Sequence, residues 1–260
     1  MCNARLYRDS LLHQQRERDL ELAHQVQQML LPQCLPELPG YAFHAYYESA
    51  QEVGGDYYDF IPLPQQRLAV LLGDVTGKGV AAALVMAKFS VEARVCLQTE
   101  PEPAVAVSKL NTIMNRAGLT DRFVTLVAVV LDPATHTATL VNAGHPLPLL
   151  TCRATGTVAE AMPTDVVGTP LGVVDDCRYA SWQVPLHPGD GLVLFSDGVT
   201  DAMDAGEQRF KTERVRAVAG SDPFAARETG ERLIRTVKQH AAGCTQNDDM
   251  TLVCFGRAGE

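Results

Sequence analysis

Residues 71–86 read LLGDVTGKGVAAALVM, two apolar runs joined by a glycine-rich bend that carries Asp74 and Lys78. Glycines and a lysine between a strand and a helix have the outline of a phosphate-binding P-loop. That motif needs four residues between its glycines, then Lys followed by Ser or Thr. Here Gly73 and Gly77 enclose three residues and Lys78 is followed by Gly79, so the hydroxyl that would hold magnesium is missing. The P-loop reading fails. What remains is an aspartate at the end of an apolar strand, beside glycines that let backbone come close to a ligand.

The same pattern organises the surrounding chain. The run 67–74 predicts a buried strand, and 80–95, apolar nearly all round, predicts a buried helix. Val107, Leu110, Met114 and Ala117 fall on one face of a helix over 103–117, with Gly118 placed to stop it. Residues 123–131 and 137–144 flank Asp132-Pro133-Ala134-Thr135 and predict a hairpin. A further strand ending in a polar loop is expected over 191–198 and a closing strand over 250–256. Asp222 and Pro223 predict the N-cap and first turn of a helix running towards Ala242. Strands paired by a hairpin, with helices in a block, point to an α+β layered sandwich and away from a doubly wound parallel sheet.

The chain has 260 residues, 46% hydrophobic and 20% charged, which suits one large domain with a sizeable core. Its formal net charge of −9 argues against a nucleic-acid or anionic-membrane partner. Seven cysteines with no C-x-x-C pair argue against a disulfide framework and predict reduced thiols, mostly core filler. No apolar stretch reaches the ~18 residues of a membrane span, and the first 30 residues contain no signal-peptide core. The expected location is cytoplasmic. Residues 1–31 predict a charged helix, and the proline-rich segment 32–40, PQCLPELPG, marks a boundary.

Aspartates recur at strand–loop junctions: Asp56 after Gly54-Gly55, Asp74 after Gly73, Asp197 before Gly198 with Asp201 beyond, and Asp248-Asp249 directly before the last strand. Asp beside Gly caps turns in many proteins, but four such sites invite a joint explanation. Two carboxylates ~4 Å apart repel by roughly 4 kcal/mol at an effective dielectric of ~20. Four converging acids therefore need cations to stay ionised together, and an all-oxygen set points to Mg²⁺ or Mn²⁺ in place of zinc. Two such ions can activate a water and clamp a phosphoryl group for in-line attack. Spacing alone does not show that the acids converge.

The ordered motifs GGDYYDF, GDVTGKG, FVTL, NAGHP, GTPLG, LHPGDGLVLFSDGVTDA and NDDMTLV resemble the metal-dependent protein phosphatases of the type 2C superfamily. More narrowly, they resemble its bacterial stage II sporulation E-type branch, which acts on phosphorylated anti-sigma factor antagonists. The resemblance spans about residues 40–257, and LAHQVQQMLLPQCLPELPGY is similar to the lead-in of those domains. It implies a phosphatase domain over 41–257, an αββα sandwich with an N-terminal helical extension, and a centre of two Mn²⁺ or Mg²⁺ ions between the sheets. On that resemblance Asp56 is the first metal ligand, Asp74 touches both ions with the Val75 carbonyl beside it, and Asp197 and Asp248 complete the carboxylates. Asp249 is a further metal-ligand position, often Asn in related members. These acids act through metal-bound water, and no separate organic cofactor is implied. The phosphate-binding Arg of the eukaryotic branch has no counterpart here.

The activity expected is hydrolysis of phosphoserine or phosphothreonine on a partner protein in bacterial signal transduction, as the output of a response-regulator system controlling sigma factors. The competing reading is a catalytically weak regulatory module that binds the same partner. An upstream receiver or sensor domain is implied by the helix at 1–31. Its Leu12, Leu22, Val26 and Met29 form a stripe, interrupted at Gln15 and Asp19, that suits a weak homodimer or docking on the chain's own domain. His145 reads as a turn-stabilising residue or a local acid, Lys78 as a solvated side chain or a phosphate contact. Asp59 and Asp201 read as turn caps or as groups orienting metal waters, and Trp182 as packing.

Overall fold

The computed structural model describes residues 2–116, 118 and 122–259, without side chains for 2–12. In chain order the elements are α1 (Cys2–Gln28), β1 (Tyr41–Glu48), β2 (Tyr57–Pro62), β3 (Leu68–Val75), α2 (Val80–Thr99), α3 (Pro103–Arg116), β4 (Val124–Asp132), β5 (Thr137–Ala143), β6 (Leu149–Cys152), β7 (Thr157–Glu160), β8 (Trp182–Pro185), β9 (Gly191–Phe195), α4 (Asp197–Thr200), α5 (Lys211–Ala219), α6 (Ala226–His240) and β10 (Met250–Arg257). They build two five-stranded antiparallel sheets, ordered β1-β10-β9-β6-β7 and β2-β3-β4-β5-β8.

The apolar runs owe their length to burial on both faces. Along β3, Leu68, Val70 and Leu72 point into the core between the sheets, while Ala69, Leu71 and Val75 point at α2 and α3. β4 divides the same way, with Val127, Val129 and Leu131 inward and Leu126, Ala128 and Val130 towards those helices. Across the sandwich, Val253 and Phe255 of β10 meet the inter-sheet core, while Leu252 and Cys254 face α5 and α6. A strand with a helix layer outside and a second sheet inside has no wet face, so its hydrophobicity does not alternate. The result is the expected four-layer αββα arrangement with α1 as an N-terminal extension.

Four local expectations change. The helix predicted from Asp222 starts only at Ala226, because the chain there is taken up by packing: a Cβ on Gly191 would stand 2.1 Å from the Phe224 ring. Asp222 instead meets Arg232, at 3.3 Å. The strand over 191–198 stops at Phe195, and Asp197 opens the short helix α4. The cysteines whose side chains are described are free, yet among them only Cys96 and Cys254 are core residues; Cys34 is exposed and three others are half-buried. The stripe residues Leu22 and Val26 of α1 and Met29 just past it are exposed, and the helix reaches its domain through Gln27 and the following Leu30 and Leu31. Ala117 and the side chain of Leu12 lie outside the described residues.

Candidate active site

The strand directions bring the acids together. β2 begins where antiparallel β3 ends, with Tyr57 opposite Gly73, so Asp56 and Asp74 share one end of their sheet. β10 begins where β9 ends, with Leu252 opposite Phe195, so Asp248 and Asp197 share an end of the other sheet. The two ends are the same end of the sandwich. Thr251 Oγ1 donates to Asp56 Oδ2 at 2.5 Å, which ties the start of β10 to the start of β2. Asp249 adds a second tie: its carboxylate accepts from the backbone N–H groups of Ala50 at 2.8 Å, Gly55 at 2.6 Å and Asp56 at 3.3 Å.

The acids sense one another. Complete burial holds the Asp56 carboxyl well above the usual carboxylate range, and the charges of Asp74 and Asp249 push it further the same way. Asp74 is pushed up to about 7, first by burial and then by Asp197, Asp248 and Asp249, with a hydrogen bond to Asp56 opposing. Asp197, at the open mouth, is raised by desolvation and by Asp248. Among the described residues, no group of three or more His, Cys, Asp or Glu side chains surrounds a common point at ligand distance. The arrangement is thus a shared negative field and not a closed cage.

That field fits hard divalent cations. The donors are all oxygen, and each charge that raises a neighbour's pKa would be offset by a bound cation. Val75 contributes an approachable carbonyl: a Cβ at position 55 would stand 2.7 Å from its oxygen, so glycine there keeps the space open. Asp249 differs from the other acids, because backbone N–H groups already occupy both of its oxygens. It organises the 50–56 loop, and with three of about four carboxylate acceptor sites used it keeps one for an ion.

The remaining sequence candidates take other places. Lys78 lies 3.3 Å from Asp248 Oδ2, at the mouth, and also donates to the Asn247 carbonyl. Asp59 is neither a turn cap nor a neighbour of the cluster. It is buried, accepts from Arg94 Nη2 at 2.6 Å and from the Tyr57 hydroxyl at 2.5 Å, and links β2 to α2. Asp201 pairs with Arg209 at 3.0 Å on the surface. His145 is buried, its Nδ1 is 2.8 Å from Thr125 Oγ1, and burial lowers its pKa to about 3. The neutral imidazole joins the NAGHP turn to β4, while the Asn142 side chain bonds the His145 backbone within the turn. Trp182 lies half-exposed on edge strand β8.

Several groups escaped the reading of the sequence. The Ser196 hydroxyl donates to the Asp249 carbonyl at 3.1 Å and accepts from Thr251 N–H at 3.0 Å, which locks β9 to β10 beneath the acids. The Tyr47 hydroxyl is buried beside Asp249 and Asp56 without a hydrogen-bond partner among the described residues. Ser196 and Thr251 were visible inside their motifs, but nothing in the spacing separates a hydroxyl that bonds an acid-bearing strand from one facing water.

The model of the family described as stage II sporulation protein E matches residues 64–258. Protein IcfG of Synechocystis is 28% identical over 266 residues, covering 92% of this chain and 41% of that protein. Phosphoserine phosphatase RsbU of Bacillus subtilis is 28% identical over 190 residues, covering 73% of this chain and 56% of its own length. The chain therefore spans about half the length of these curated relatives. Among solved structures, the SiaA PP2C domain of Pseudomonas aeruginosa superposes with a TM-score of 0.82 at 20% identity, covering 95% of this chain and 98% of that one. At that identity the agreement concerns the fold.

Proposed function

Because the chain belongs to the stage II sporulation protein E family, we propose that it is a metal-dependent protein phosphatase that hydrolyses phosphoserine or phosphothreonine on a partner protein. The observation that carries this reading is the set of Asp56, Asp74, Asp197 and Asp248, drawn from the ends of two different sheets into one electrostatic cluster. Asp56, Asp74, Asp197, Asp248 and the Val75 carbonyl would hold two Mn²⁺ or Mg²⁺ ions, which when bound supply an activated water and neutralise phosphoryl charge. Within the chain, Thr251 fixes the Asp56 carboxylate and Asp249 fixes the backbone that presents it. Lys78, exposed at the mouth, is within reach of an arriving phosphate. The Ser196 hydroxyl beside the cluster is taken up by the Asp249 carbonyl and the Thr251 N–H, so the reading has no covalent phosphoenzyme.

The phosphoserine phosphatase activity named for the Bacillus relative supports the substrate class. On this proposal the partner is a phosphorylated protein of the anti-sigma factor antagonist type, the setting is cytoplasmic, and a receiver or sensor domain controls the enzyme. No helix of the described residues is long and apolar enough to cross a membrane. Domain bounds of 1–31, 32–40 and 41–257 are kept within the proposal, as is a weak homodimer through the exposed face of α1. The test is release of phosphate from a phosphoserine-bearing antagonist domain with Mn²⁺, with Mg²⁺ and with chelator. Metal-dependent turnover is expected; binding of the phosphoprotein without turnover under any metal would leave the regulatory-module reading in its place.

A further inference from the structure

The only long polar side chain of α1 that is buried among the described residues is Gln27, 4% exposed. Its amide serves both backbone groups of one residue: Nε2 donates to Gly54 O at 2.6 Å, and Oε1 accepts from Gly54 N–H at 3.0 Å. A glutamine amide placed in this way acts as an extra strand partner for a single loop residue. Beside it, His24 Nδ1 lies 2.5 Å from Glu52 O, so the last turns of α1 grip the 52–54 loop at two points. Leu31, just past the helix, is buried in the core beneath α2 and α3, which fixes where that grip falls.

Gly54 lies two residues before Asp56 and directly precedes the Gly55 N–H that donates to Asp249 Oδ2. The Asp249 carboxylate and the Gln27 amide therefore hold the same short loop from opposite ends of the chain. Side chains have little room to replace them: a Cβ on Gly54 would stand 2.4 Å from both Asp249 Oδ2 and the Tyr47 hydroxyl. Without Gln27, the Gly54 carbonyl and N–H would be left without partners in a buried site, and the loop would relax towards water to satisfy them. Asp56 would move with it.

We propose that Gln27 is a positioning residue for metal binding. It holds Gly54 so that the Asp56 carboxylate is preorganised, and it makes the affinity of the site depend on the docking of α1. This inference rests on the phosphatase reading above. It adds a specific point of coupling between an otherwise exposed helix and the acid cluster.

The test compares the full chain with Gln27→Met, which keeps the side-chain length but offers no amide, and with Gln25→Met, an exposed neighbour on the same helix. Mn²⁺ binding is measured by calorimetry on the metal-free proteins, and turnover is measured as a function of Mn²⁺. Groups that orient metal ligands typically change affinity by about 10–100-fold. Acting one step further out, Gln27→Met is expected to weaken Mn²⁺ binding by about 5- to 20-fold, with kcat at saturating Mn²⁺ within about threefold of wild type. Gln25→Met should match wild type.

A structural role alone would lower thermal stability and leave Mn²⁺ affinity unchanged, and that result overturns the proposal. If Gln27→Met does not fold, Gln27→Glu and hydrogen exchange on the wild type decide. Glu keeps the acceptor for Gly54 N–H, loses the donor to Gly54 O and adds a negative charge that by itself favours a cation, so weaker Mn²⁺ binding than wild type supports the positioning role, and unchanged or tighter binding overturns it. Slow exchange of the Gly54 amide, sharing the protection of α1, supports the coupling, and fast exchange of that amide overturns it. Should wild type bind no Mn²⁺, the phosphatase reading itself has failed. If wild type binds but is insensitive to Gln27, only the positioning inference has.

Discussion

Replacing Asp74 by Asn separates the electrostatic cost of the acid cluster from its use. In the metal-free protein Asp74 is pushed up to about 7 from an ordinary value of 3.8. A raised carboxyl binds its proton more tightly in the folded state, so stability is full below the unfolded pKa and falls as pH rises from about 4 to about 7. At about 1.4 kcal/mol per unit, the shift corresponds to at most about 4 kcal/mol. Asp74 keeps part of its surface in water and shares a hydrogen bond with Asp56, so screening reduces this to about 1–3 kcal/mol. Asn is nearly isosteric and carries no charge. In chelator, Asp74→Asn should therefore melt about 3–10 °C above wild type at pH 8 and close to it at pH 5. Saturating Mn²⁺ should reverse the order, because wild type gains binding energy that the variant lacks, and the variant should lose almost all turnover. Differential scanning calorimetry at the two pH values, with and without Mn²⁺, reads all of this. A variant less stable than wild type at pH 8 in chelator, or an increment equal at both pH values, would refute the electrostatic account. Near-wild-type turnover at saturating Mn²⁺ would refute the role of Asp74 in the site.

Gly198→Ala places a Cβ 2.0 Å from the Asp249 carbonyl oxygen, so β10 must shift; a loss of about 1–3 kcal/mol in urea unfolding is expected together with weakened Mn²⁺ binding, and an unchanged midpoint would show that the loops separate freely. His145 should titrate by NMR near pH 3, well below its ordinary value, so that it weakens folding only as pH falls from about 6.5 towards 3 and leaves the pH–rate profile above 6 untouched. A limb near pH 6.5 abolished by His145→Gln would contradict this. Arg94→Met strands the buried Asp59 carboxylate; because Arg94 is itself half-exposed, a loss of about 1–3 kcal/mol is expected, restored in large part by Asp59→Asn in the same chain. Sedimentation of the full chain at tens of micromolar should show self-association that Val26→Glu removes, since Leu22, Val26 and Met29 are exposed; a monomeric wild type would leave α1 without the dimer role.

What could be read from the sequence was local and repetitive. The run 67–74, the helices beginning at Val80 and Pro103, and the hairpin across Asp132-Pro133 are set by apolar period and turn chemistry, and they form where expected. Asp56, Asp74, Asp197 and Asp248 were also legible as candidates, because acids beside glycines at strand ends stand out in the chain and match ordered motifs. The start of α6 was not, since Phe224 is drawn off by packing against Gly191 and Gly256, a contact between distant residues that overrides an Asp-Pro start signal. Nor was the fate of Asp59, which reads like any turn acid until Arg94 of α2 is laid over it. Convergence of the acids depends on β2 meeting β3 and β10 meeting β9 at the same end of two stacked sheets, a matter of long-range register that no window of sequence contains. The Gln27 clasp depends on the same thing: a glutamine among several in a charged helix becomes distinct only when folding buries it against one backbone residue, where the cost of an unpaired polar group makes its position specific.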